Sequence, residues 1–99
     1  MSKKSYDALS IPPGGRHEGG TEVLRAGIST SSNLTVSLRP ALNDPQMWGV
    51  LLASVARQVA SLYAQDRGES ADVIVARIRD RFDEEMASTE EPGTAVRVR

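Results

Sequence analysis

The spacing of apolar and polar positions divides the chain into strand-like and helix-like stretches. Between Thr21 and Ser29, Val23, Leu24 and Ile28 mark a short strand; in a second, Leu34, Val36 and Leu38 alternate with Thr35, Ser37 and Arg39. The polar connector Thr30-Ser31-Ser32-Asn33 predicts a turn. The two strands therefore read as an antiparallel hairpin whose second strand has one buried and one wet face. A lone hairpin is unstable in water and needs a cover.

Beyond Asn43 the period becomes helical. Asp44 suits capping of the first free N–H groups, Pro45 suits the first helical position and Gly68 suits a left-handed stop, which predicts a helix ending near Arg67. One face carries Trp48, Leu51, Leu52, Val55, Val59, Leu62 and Tyr63, and beside it runs a stripe of small residues, Gly49, Ala53, Ala56, Ala60 and Ala64. Only Arg57 is charged between Pro45 and Gln65. This helix is expected to be central, its large residues over the hairpin and its small ones admitting a second helix. Ser70 as cap and Asp72 in the first turn open that second helix, from Ala71 to Met86, with a narrower stripe of Ile74, Val75, Ile78, Phe82 and Met86. Its other faces are charged, with Arg79–Asp83 and Arg81–Glu85 at i,i+4 spacing.

The ends are less regular. Pro12-Pro13-Gly14-Gly15 and Gly19-Gly20 predict an extended arm over residues 1–20, neither helix nor strand, with Tyr6, Leu9 and Ile11 spaced to dock on the body. Residues 21–86 then form one compact ββαα domain, and residues 87–99 a flexible tail in which the alternation of Thr94 to Arg99 leaves an added strand open. The expected fold class is α+β: a two-stranded antiparallel hairpin followed by two packed helices, with an extra strand available from the tail or from a dimer partner.

Composition narrows the classes of function. A chain of 99 residues holds one core, and so small a core gains from association. The absence of cysteine removes disulfides, thiolate metal sites and thiol chemistry, and is ordinary in a reducing compartment; with no apolar run at the N-terminus, a cytoplasmic location is expected. The most apolar stretch, Trp48 to Ala64, is interrupted by Ser54, Arg57, Gln58 and Ser61 and does not read as a membrane span. A net charge of −1 gives no field to attract nucleic acid, and the arginines of Arg77-Ile78-Arg79-Asp80-Arg81 are offset by Asp83, Glu84 and Glu85.

Candidate chemistry is sparse. His17, the one histidine, lies among Arg16, Glu18 and glycines that fix neither an orienting carboxylate nor a nucleophile, so it reads as an idle surface residue. The glycines of the arm precede a strand and lack the Gly-Lys-Ser/Thr ending of a phosphate loop. Trp48 and Tyr63 read as packing residues. No catalytic, cofactor-binding or metal-ligating residue is assigned. Gly49, Ala53, Arg57 and Ala60 are the candidate interface; Arg16, His17 and Trp48 would line a pocket under the arm if the chain bound a ligand.

Taken together, Ser5-Tyr6-Asp7-Ala8-Leu9, Glu22-Val23-Leu24-Arg25-Ala26-Gly27 and Asp44-Pro45-Gln46-Met47-Trp48-Gly49 resemble a family of short bacterial proteins known as a domain of unknown function, over roughly residues 5–86. The resemblance implies no reaction, cofactor or site. The reading favoured by the residues is a small non-enzymatic interaction or accessory module, homodimeric through sheet continuation or helix packing and able to take a further protein partner. The alternative is a ligand-binding or catalytic subunit with its pocket near Trp48.

Overall fold

A computed structural model describes residues 6–88 and 94–98. Strand β1 (Leu24–Ile28) pairs antiparallel with β2 (Leu34–Leu38), with Ala26 opposite Val36 at the centre of the ladder. The turn closes through the Ser29 N–H to the Asn33 carbonyl (2.9 Å) and the Ser32 N–H to the Ser29 carbonyl (2.8 Å). Ser32 takes φ 66°, the left-handed residue that a three-residue hairpin loop requires. A side chain is strained there, so Ser32→Gly is expected to raise stability by a few tenths to about 1 kcal/mol, read as an upward shift of the urea midpoint at unchanged slope.

The alternating C-terminal segment is a strand. Thr94–Arg97 form β3, parallel to β2 with Val36 opposite Ala95, giving the sheet order β1-β2-β3. This part of the segment expected to be a flexible tail is held by the sheet, and the ladder extends through the Val98 N–H to the Leu38 carbonyl at 2.6 Å. Paired residues project from the same side of a sheet. One face therefore carries Leu24, Ala26 and Ile28 from β1, Leu34, Val36 and Leu38 from β2, and Ala95 and Arg97 from β3, so that it is apolar except for Arg97 at one corner.

Helix α2 (Gln46–Arg67) starts and stops as its sequence predicts. Asp44 Oδ1 accepts from the Gln46 N–H at 2.9 Å, and Gly68 at φ 67° donates its N–H to the Ala64 carbonyl. Helix α3 (Ala71–Ala87) returns antiparallel along it, with no hydrogen bond from the Ser70 side chain at its start. The two meet on the small-residue stripe: Ala60 is wholly buried, Ile74 is 7% exposed, and these two are the fully buried apolar residues among those described. A methyl at Ala60 lets the backbones approach, and Ile74 is the buried side chain on the α3 side.

Two expectations are corrected. The arm is not wholly extended: Pro13–Glu18 form the short helix α1, for which Pro13 supplies the preset φ of a first helical position before Gly19 at φ 75° ends it. Pro13, Gly14 and Gly15 lie within this short helix without preventing it, and Gly19 follows it. More consequentially, α2 does not lie over the hairpin. The elements that meet are β1 with β2, β2 with β3 and α2 with α3; no Cα of a described helix comes within 8 Å of a strand Cα. The connector 39–45 carries Pro40 and Pro45, whose fixed φ stiffens the link, and a tight Ala41 N–H to Arg39 carbonyl bond of 2.8 Å. Amphipathic patterning requires each apolar face to be covered, but does not say by what.

Candidate functional site

The candidate site is the apolar surface that the fold leaves uncovered. It has two parts. On α2, Leu52, Val59 and Tyr63 of the large-residue face border α3, and the rest of that face lies further from it; Val55 is 45% and Leu62 61% exposed, while Trp48 and Leu51 are half-buried. On the sheet, Ile28 is 77% and Leu34 53% exposed on the face that includes Val36. The chain as a whole exposes 8988 Å². A compact monomer of 10.7 kDa exposes roughly 5,500 Å². The radius of gyration, 15.8 Å, exceeds the roughly 13 Å of a compact domain of this length.

The outer edge of β1 is partly guarded. Tyr6 lies across Gly27 so closely that a Cβ there would stand 2.9 Å from its hydroxyl oxygen, and that hydroxyl donates a long bond of 3.4 Å to the Ala26 carbonyl. A glycine inside a strand often marks such a close approach; it is the sequence signal for this contact. Beside it, Arg25 grips the Glu22 carboxylate through Nε (3.0 Å) and Nη2 (2.9 Å). That hydrogen bond holds the Glu22 carboxyl below, and the Arg25 guanidinium above, its ordinary pKa. The pair is solvent-exposed, so it orders the strand's entrance more than it stabilises the fold.

The arm and β1 frame an open cleft lined by Tyr6, Leu9, Pro12, Glu22, Arg25 and Ile28 among others. Trp48 is not among its described lining residues; it stands half-buried near the start of α2, so the pocket expected under the arm near Trp48 is not assembled around it. Arg16 and His17 belong to α1 by their backbones, and their side chains lie outside what is described. Of the candidate interface residues, Ala60 is consumed in the seam with α3. Gly49, Ala53 and Arg57 line an open groove beside it, facing Val75, Arg79, Phe82 and Asp83 of α3. Tyr63 carries the Arg67 guanidinium 4.6 Å from its ring centre, and Arg81 bridges to Glu84 (3.2 Å) and Glu85 (2.9 Å), all at the solvated rim.

Among the described residues no group of three or more His, Asp or Glu stands together as a metal set, and no polar or charged side chain is buried. No described helix is long and apolar enough to cross a membrane.

Residues 8–90 match the family described as Domain of unknown function (DUF5076). The chain belongs to that family. No curated protein matches it. Among solved structures it is similar to a candidate pyruvate dehydrogenase from the photosynthetic bacterium Rhodopseudomonas palustrus CGA009, at 29% identity and a TM-score of 0.75 over 95% of this chain and 96% of that one. That structure shares the fold over nearly the whole of this chain.

Proposed function

We propose that this member of the family is a small non-enzymatic interaction module that works as a homodimer in the cytoplasm. The observation that carries this reading is the uncovered apolar surface, with Ile28 and Leu34 on the sheet and Val55 and Leu62 on α2 all exposed; the total surface, polar and apolar together, is roughly 3,500 Å² more than a compact monomer of this mass shows. A standard interface takes about 800 Å² from each partner, and obligate homodimers take considerably more. The N-terminal arm accounts for some of the excess, and the exposed faces of α2 and the sheet contribute to it. A cytoplasmic setting is supported by the absence of cysteine. The residues here gather no set of groups for keto-acid chemistry among those described, so the enzyme name of the similar structure is not extended to this chain.

Light scattering on the purified chain at tens of micromolar is expected to return twice the 10.7 kDa chain mass, and melting temperature is expected to rise with concentration, as it does when folding and association are linked. A monomer with a concentration-independent melt would overturn the reading.

A further inference from the structure

We infer that the two copies are interlocked: the large-residue face of α2 in each lies across the apolar face of the partner's sheet. This rests on the homodimer reading above and specifies its interface. Three observations lead to it. The chain carries two uncovered apolar faces of different kinds, a helix face and a sheet face, and its own helices stay more than 8 Å, Cα to Cα, from its own strands. Two copies related by a two-fold axis can cover both kinds at once, each giving a helix and receiving one; an unrelated partner would have to present both shapes.

The dimensions agree. The 22 residues of α2 run about 33 Å at 1.5 Å each, and the strands of 5 residues run about 17 Å, so one helix crosses the whole sheet. The face offered is nearly free of charge, since Arg57 is the helix's one charged residue before Asp66 and falls on the other side of the helix from Val55.

The competing route, continuation of the sheet through β1, meets an obstacle. Leu24, Ala26 and Ile28 turn their backbone groups outward, because the bonded pairs of the hairpin are those in register with Ser29–Asn33 and Val23–Arg39. The outward Ala26 carbonyl already receives the Tyr6 hydroxyl, with the ring against Gly27. A guarded edge leaves the faces as the surface that must be covered. The stiff connector 39–45 then has a role: it holds α2 away from its own sheet, in the manner of a hinge in an exchanged dimer.

The chain has no cysteine, so introduced thiols report unambiguously. Val36→Cys and Val55→Cys chains, made separately with different tags, are unfolded together, refolded as a mixture and treated with a short bis-maleimide. Cross-linking between the two chain types is expected to exceed Val55→Cys self-linkage at least fivefold; Leu34→Cys paired with Val59→Cys repeats the measurement should either first variant fail to fold. Predominant Val55→Cys self-linkage would mean that α2 packs on α2, overturning the interlock while leaving the dimer. Linkage within a doubly substituted single chain, undiminished by excess unsubstituted protein, would mean that each chain covers itself and would also overturn it. A monomer by light scattering removes both readings.

Discussion

Val55→Asp is expected to dissociate the proposed dimer while costing an isolated chain little. Val55 is 45% exposed within one chain, so a carboxylate there would remain hydrated. In the proposed interlock the same group would be stripped of water among Val, Leu and Ile side chains of the partner's sheet. An uncompensated charge in such surroundings costs about 3 kcal/mol or more, and a two-fold interface contains it twice. The dissociation constant should therefore rise at least roughly 100-fold, since each 1.4 kcal/mol is a factor of ten. Sedimentation equilibrium over a range of concentrations measures this directly. Ser54→Asp, on the polar side of α2, is the matched control and should leave the constant within about threefold. Equal association of both variants would place the interface elsewhere.

Ile74→Ala should be the most damaging substitution to the helical pair. Ile74 and Ala60 are the fully buried apolar residues described, so the seam between α2 and α3 has little else to collapse into the space left. Removing a buried isoleucine to alanine costs about 2–4 kcal/mol, a shift of the thermal midpoint on the order of 10–20 °C for a domain of this size. Urea unfolding followed by far-ultraviolet circular dichroism checks it. A cost under about 1 kcal/mol would mean that the seam repacks freely and that α2 and α3 are held from outside, by the partner.

Local signals read well from sequence because their causes are local. Asp44 and Gly68 bound α2 through bonds that reach four residues at most, and strict alternation in Leu34–Leu38 is a property of one strand. The small-residue stripe also led to a correct neighbour, since an alanine at position 60 admits a helix backbone wherever that helix originates. The cover of the hairpin did not read correctly. Periodicity shows that Val36 and Val55 each face something apolar; two faces on one chain look like partners, and only the geometry of the 39–45 connector shows them apart. Similarly, α1 was hidden because Gly14 and Gly15 lower helix propensity, whereas a single turn begun by Pro13 needs little of it. The candidate pocket at Arg16, His17 and Trp48 rested on the arm reaching α2; its described cleft instead follows β1.

The parallel pairing of β2 with β3 has a consequence for the order of events in folding. β1–β2 and α2–α3 are each hairpins of neighbours in sequence, able to form on their own within microseconds once their turns are set. β3 has to find β2 across the whole length of both helices, and closing so long a loop is an entropic cost met only when the intervening helices are already condensed. On a ribosome β3 also emerges after both helices. Until then the far edge of β2 stands open beside an unpartnered apolar face, so the interval before β3 docks is when a newly made chain is most prone to pair with the wrong strand.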